Sequence, residues 1–158
     1  MKIQRIYLET TMFNFYFDTD REAHASTVKL FNEIAEGKYE AYTSRTVIEE
    51  LEKATGEKRD KMLGLIADIG IPILESSVEA ERLADLYVEE RVVPAKYRND
   101  GLHIAIAAVN KLDIILSMNF QHIVRMKTIR MTTSINLLNG FKAVEIYSPM
   151  EVADHDKE

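Results

Sequence analysis

The sequence predicts an α/β fold, a three-layer α/β/α sandwich around a central, mostly parallel sheet. Short apolar segments with strand character alternate along the chain with longer amphipathic segments of helical period. Residues 114–116 are continuously apolar, as strands buried on both faces of a parallel sheet usually are. Right-handed crossovers between consecutive strands would then place helices on both faces of the sheet.

The predicted elements follow from local signals along the chain. The predicted strands cover residues 3–8, 39–43, 71–74, 114–116 and 144–147. The predicted helices cover residues 21–36, a segment from Ser44 to near Gly56, residues 58–69, a segment from Ser76 or Ser77 to about Glu90, and an almost entirely apolar segment that begins near Arg98. A short aromatic helix is expected after Glu9. Gly37 and Gly70 stand where helices commonly end, and the serines are favourable N-caps.

Length and composition indicate one globular domain, residues 1–150, followed by a polar tail, residues 151–158. The chain has 158 residues, of which 46% are hydrophobic and 29% charged. It has no cysteine, which excludes disulfides, a thiol nucleophile and cysteine-ligated metals. No apolar run approaches the length of a membrane span. We therefore expect a cytoplasmic protein without a membrane partner.

The net charge of −6 disfavours a protein that coats nucleic acid, but the charge is unevenly distributed. Residues 114–144 contain no Asp or Glu, although Arg125, Lys127 and Arg130 fall there. Such a segment can guide a polyanion. It can equally be an ordinary solvated helix surface.

Several polar residues stand where predicted strands end. Glu9 follows the first strand, and Ser117, Asn119 and His122 follow the fourth. Asp100 lies in the first turn of the apolar helix, where a carboxylate complements the exposed amides. Ligands and catalytic groups usually collect at the carboxyl edge of an open parallel sheet. Glu9 could also simply cap the next helix.

Other known catalytic signatures are absent from the sequence. It contains no GxGxxG or Walker segment, no HExxH and no nucleophile elbow. Helical periodicity does not separate Glu50 from Glu49 or Glu52, since all three share one predicted helix. His103, one turn after Asp100, is expected to pack or form a hydrogen bond inside the fold.

Four segments in order resemble the PIN domains, a family that includes VapC-type ribonuclease toxins. The segments are IYLETT, TSRTVIEEL, RNDGLHIAIA and ILSMNFQHI. They resemble, respectively, the opening strand with its acid, the strand-to-helix segment with a Glu before Leu, the helix with a first-turn Asp, and the strand end that carries a fourth acid. The alignment selects Glu50 over Glu49. It also places Glu where the family usually has Asp, at Glu9, and leaves the fourth position to Asn119 or His122.

The resemblance implies a cluster of carboxylates, Glu9, Glu50 and Asp100, that binds Mg²⁺ or Mn²⁺ and hydrolyses RNA phosphodiesters. Thr10 and Ser44 would position water or phosphate, or only cap helices. The basic residues that would contact RNA are Arg125, Lys127 and Arg130. An antitoxin protein and a second copy of the chain are the partners that the resemblance implies.

Two functions follow from these residues. The first is a metal-dependent endoribonuclease, as the toxin of a toxin–antitoxin pair. The alternative is a PIN-like module with weakened catalysis that binds RNA or a protein. The non-acidic fourth position and the Glu at position 9 motivate that alternative.

Overall fold

Five parallel strands form the central sheet. In the computed structural model, which describes residues 2–153, they are β1 (Gln4–Leu8), β2 (Tyr39–Ser44), β3 (Ile73–Leu74), β4 (Ile114–Leu116) and β5 (Glu145–Tyr147). Their order across the sheet is β3-β2-β1-β4-β5, and each neighbouring pair is parallel. The predicted α/β class with a mostly parallel sheet is confirmed.

Helices connect the strands in every interval of the chain. They are α1 (Thr10–Phe17), α2 (His24–Ala35), α3 (Arg45–Glu52), α4 (Gly56–Ile69), α5 (Val78–Glu89), α6 (Arg98–Val109), α7 (Met126–Leu138) and α8 (Pro149–Ala153), with a short 3₁₀ helix at Ala95–Tyr97. None of the helices in this described part is long and apolar enough to cross a membrane.

The helices form two groups, one for each direction in which the chain moves across the sheet. Helices α1, α3 and α4 pack against one another while the chain proceeds from β1 to β3, and α2 packs against α1 and α8. Helices α5, α6 and α7 pack together while the chain proceeds through β4 to β5. Right-handed crossovers in opposite directions put these groups on opposite faces, which gives the predicted three layers.

The reversal of strand order falls between β1 and β4. Leu8 and Leu116 are paired in register, and the next amide, that of Glu9, donates to the Leu116 carbonyl at 3.1 Å. Glu9 and Ser117 therefore leave the sheet side by side at its carboxyl edge. This switch point is where open α/β sheets form a ligand crevice.

Some predicted boundaries differ from the structure. The helix that begins at Arg45 ends at Glu52, not near Gly56, because Gly56 begins the next helix. Helix α7 occupies the basic segment, for which the sequence pattern predicts no element bounds. Residues 151–153, predicted as part of the tail, are the end of α8. Residues 154–158 of the predicted tail lie outside the described residues.

Close packing of α5 on α6 fixes the position of the Asp100 turn. A Cβ atom built at Gly101 would lie 3.2 Å from Cδ2 of Tyr87 and 3.3 Å from Cγ2 of Val93. Tyr87 is fully buried, and its hydroxyl donates to the side-chain oxygen of Asn136 on α7. The absence of a side chain at Gly101 thus lets α6 approach α5 closely.

We expect Gly101→Val to lower the free energy of unfolding by about 1–3 kcal/mol, because the added methyl groups meet packed side chains. Gly64→Val, in α4, is the matched control, since nothing lies within 4 Å of its Cβ position. It should change stability by no more than about 0.5 kcal/mol. Equal effects in chemical denaturation would contradict this account of helix packing.

Candidate active site

Three carboxylates from three separate elements lie near enough to the imidazole of His103 to act on its charge. Glu9 follows β1, Glu50 lies on α3, and Asp100 lies in the first turn of α6. Helix α6 leads into β4 and runs against the strand direction, so its first turn lies at the carboxyl edge of the sheet. All three acids act on His103 electrostatically and favour its protonated form. The acids predicted from the sequence are thus gathered around one buried base.

Glu9 is a buried carboxylate held by hydroxyl groups. Only 3% of the residue is exposed. Its Oε1 accepts hydrogen bonds from Ser117 Oγ at 2.6 Å and from Thr11 Oγ1 at 2.5 Å, together with the Thr11 backbone amide. Burial raises the pKa of Glu9, although the charge of His103 and these hydrogen bonds oppose the shift. The same carboxylate caps α1. The capping role does not remove Glu9 from the acidic cluster.

Glu50, not Glu49, faces the cluster. Glu49 is exposed on the same helix, whereas Glu50 is half-buried. Its Oε1 accepts from Thr10 Oγ1 at 2.5 Å and from His103 Nε2 at 2.7 Å. Burial alone would raise the pKa of Glu50, but the hydrogen bond and charge of His103 and the Thr10 hydroxyl together lower it. Glu50 is therefore an ionised partner for His103.

His103 is fully buried and uses both ring nitrogens. Its Nδ1 lies 2.6 Å from the hydroxyl of Tyr7, which lies 2.7 Å from Oγ of Ser44. Ser44 also caps α3 by accepting from the Val47 amide. Burial lowers the pKa of His103, but Glu50 and then the other two acids outweigh this and raise it above its usual value. Tyr7 was not singled out by the sequence, because an aromatic residue in a strand normally indicates only packing.

Asp100 lies beside the loop that follows β4. The side-chain amide of Asn119 lies close enough to the Asp100 carboxylate to lower its pKa. Oδ1 of Asn119 accepts from the His122 amide at 3.0 Å, so the polar hydrogens that it can offer to Asp100 are those of its side-chain nitrogen. Burial raises the pKa of Asp100 above its usual value, although the charge of His103 and the nearby Asn119 side chain oppose the shift. Asn119, at the predicted fourth position, thus lies beside one of the three acids.

His122 lies beside the acidic cluster. Its ring packs on Tyr97 with centroids 4.4 Å apart, and only 8% of the residue is exposed. The charge that His122 carries when protonated acts on Asp100. The predicted RNA-contacting residues, Arg125, Lys127 and Arg130, are all exposed at the beginning of α7.

The donor set fits a hard divalent cation, which prefers carboxylate oxygens. The hydrogen bonds to Glu9 and Glu50 all engage Oε1, so Oε2 of each is the oxygen that a ligand could take. As the side chains stand, residues 2–153 contain no group of three or more His, Asp or Glu placed to hold an ion. The residues fit by their chemistry, and binding requires the carboxylates to converge further.

Comparison with known proteins identifies a shared fold but assigns the chain to no family. The sequence matches no protein-family model and no curated protein. The structure is similar to a chain in the crystal structure of VapBC2 from Rickettsia felis bound to a DNA fragment from their promoter. The TM-score is 0.57 at 12% sequence identity, and the match covers 92% of this chain and 98% of that chain. At this identity the similarity shows that the two chains share a fold.

We expect the pKa of His103 to lie above its usual value in metal-free protein and to fall in Glu50→Gln. The substitution removes the partner that contributes most to raising it, while burial continues to lower it. Nitrogen chemical shifts of the imidazole, followed through a pH titration in EDTA, measure both values.

The raised pKa of His103 also makes the free energy of unfolding depend on pH. The pKa of His103 is higher in the folded chain than in the unfolded chain. Its contribution to the free energy of unfolding is therefore fully present below the pKa of the unfolded chain, about 6.5. The contribution is lost as pH rises through the folded pKa. A His103 midpoint that does not change in Glu50→Gln would contradict the pairing.

Proposed function

We propose that the chain is a divalent-metal-dependent endoribonuclease that hydrolyses RNA phosphodiester bonds. Glu9, Glu50 and Asp100 would hold Mg²⁺ or Mn²⁺. One observation carries the proposal: these carboxylates, from three elements distant in sequence, all act electrostatically on the buried His103 at the carboxyl edge of the sheet. The shared fold with a chain of the VapBC2 complex supports it, as does the sequence resemblance to PIN domains.

The surrounding side chains hold the acids in place before any substrate arrives. Ser117 and Thr11 fix Oε1 of Glu9, and Thr10 and His103 fix Oε1 of Glu50. Positioning of this kind is worth a large part of a catalytic barrier, because the entropy cost is met during folding. The hydroxyls therefore act by orienting carboxylates.

Three carboxylates around one imidazole leave an excess of negative charge at the site. This excess attracts a cation and disfavours an RNA phosphate that approaches without one. When bound, the cation lowers the pKa of a water molecule, orients the scissile phosphate and offsets charge on its oxygens. His103 keeps Glu50 ionised, which maintains the charge that attracts the cation.

We further propose a protein partner of the antitoxin type, which would inhibit cleavage by covering the acidic site. The support is that the similar chain comes from a VapBC2 complex, solved with promoter DNA. Self-association is a second proposal that follows from the PIN resemblance. Co-purification with the product of an adjacent small reading frame would test the first, and light scattering the second.

One observation favours the alternative function, a PIN-like module that binds RNA without cleaving it. The acids of the site are already engaged by protein hydrogen bonds, and the described residues contain no preformed ion site. RNA binding without cleavage across a range of substrates in Mn²⁺ would favour this module over the nuclease.

We expect Asp100→Asn and Glu50→Gln to reduce RNA cleavage in Mn²⁺ by on the order of a hundredfold or more, as removal of a preorganised charged group typically does. Both changes keep the size of the side chain and remove its charge. Cleavage of a mixed RNA substrate, followed by gel electrophoresis, measures the effect.

Glu49→Gln is the matched control, because it makes the same change at the adjacent, exposed position of α3. It should cleave like the unmodified chain. Circular dichroism should show that all three variants fold. Equal losses in Glu49→Gln and Glu50→Gln, or full activity in Asp100→Asn, would refute the assignment.

A further inference from the structure

A cavity of about 360 Å³ lies next to the acidic cluster and carries the opposite charge. We call it the basic cavity. Its polar lining residues are Arg91, His122, Arg125 and Lys127, and it has no Asp or Glu among the described residues that line it. The remainder of the lining, around Val92 and Pro94, is small and apolar. A pocket of this size and charge is suited to an anion.

The three permanent cations of the basic cavity are not neutralised by the protein. No carboxylate among residues 2–153 forms an ion pair with Arg91, Arg125 or Lys127. Arg125 donates from Nη1 to the backbone carbonyl of Gln121 at 3.1 Å, which directs the side chain without cancelling its charge. Lys and Arg that converge without acidic partners form a local positive potential.

The beginning of α7 adds to this potential. Arg125 is the N-cap residue of α7, and no side chain caps the helix there. Lys127 is in its first turn, so the uncapped end of the helix belongs to the same wall of the cavity. The first amides of a helix of this length point outward and favour a phosphate.

His122 supplies an independent indication of a ligand. The residue is 8% exposed, and its Nε2 is buried without a hydrogen-bond partner among the described residues. A buried polar atom without a partner is unfavourable and uncommon in native proteins. A phosphate oxygen admitted beside the ring would give Nε2 the partner that the fold does not provide.

Arg91 is held in the cavity at a cost in backbone energy. It follows the end of α5 with φ of 61°, in the left-handed region where glycine is the usual residue. Its amide and that of Val92 donate to carbonyls of the last turn of α5, at 3.0 and 2.8 Å. The chain thus places a long cationic side chain at a position where a glycine would be less strained.

We propose that the basic cavity binds a phosphate group of a nucleic-acid strand whose neighbouring phosphodiester lies at the acidic cluster. The inference rests on the proposed nuclease function and adds a second point of contact for the same strand. His122 joins the two sites, because it lines the cavity while its backbone amide donates to Asn119, whose side chain lies beside Asp100. Two separated phosphate contacts would fix the strand in register relative to the acids.

The test uses metal-free protein in EDTA, so that neither cleavage nor a bound cation is needed. The first probe is inorganic phosphate, followed by nitrogen NMR of the full chain. We expect concentration-dependent shifts in the His122 ring and the Lys127 amide. The double variant Arg125→Gln/Lys127→Gln should lose this response.

Arg59→Gln/Lys61→Gln is the matched control. It removes the same two charges at the same spacing from an exposed segment of α4, outside the cavity. It should respond to phosphate like the unmodified chain. Equal responses in the two double variants, or no response in the unmodified chain, would overturn the phosphate site.

The second probe is a single-stranded RNA oligonucleotide in EDTA, with its Kd measured against salt concentration. We expect the Arg125→Gln/Lys127→Gln variant to bind the RNA at least about tenfold more weakly than the unmodified chain. The negative slope of log K against log salt should become shallower by about 0.7 for each phosphate that the variant no longer neutralises. Unchanged RNA binding in a variant that no longer responds to phosphate would mean that the cavity takes a free anion, and would overturn the nucleic-acid contact.

The two proposals can fail separately. If Asp100→Asn abolishes cleavage while the cavity variant binds and cleaves RNA normally, the nuclease stands and the cavity inference fails. If the cavity variant loses phosphate and RNA binding but the unmodified chain cleaves no RNA in Mn²⁺, the cavity inference stands and the nuclease fails.

Discussion

The hydrogen bond between His103 and Glu50 holds together elements that are far apart in the chain. A fully buried imidazole is unfavourable unless both nitrogens have partners, and here Glu50 on α3 and Tyr7 on β1 provide them. Loss of one member of a buried pair typically costs several kcal/mol, because the other charge is left without a partner. The pair therefore fixes α3 and α6 relative to the central strand, and with them two of the three acids.

The topology of the sheet explains why the third acid and the loop after β4 join this pair. The strand order reverses between β1 and β4, so Glu9 and Ser117 emerge side by side and are joined by a hydrogen bond. Two residues later Asn119 lies beside Asp100 and lowers its pKa. The same loop continues through His122 into α7, which carries the basic residues. Negative and positive surfaces are thus adjacent because one short loop builds part of both.

The sequence was sufficient to predict the fold class and the candidate functional residues at the ends of strands and helices. It was less sufficient to predict the contacts between those elements. Glu9 and Asp100 follow from their positions beside apolar segments. The choice of Glu50 over Glu49 came from the family resemblance, because periodicity did not separate them. Tyr7 carries no local signal, and Ser117 is marked only by its position at the end of a strand, since the role of each is defined by a partner about a hundred residues away. The packing of His122 on Tyr97 likewise depends on tertiary structure.

The central claim is that Glu9, Glu50 and Asp100 form one cation site around His103. It is tested most directly by anomalous scattering from crystals soaked in Mn²⁺, which requires no knowledge of the RNA substrate. The account predicts an anomalous peak among the three carboxylates, with His103 still bound to Glu50. No peak there at millimolar Mn²⁺, with the carboxylates engaged only by protein donors, would contradict it and favour the non-catalytic module.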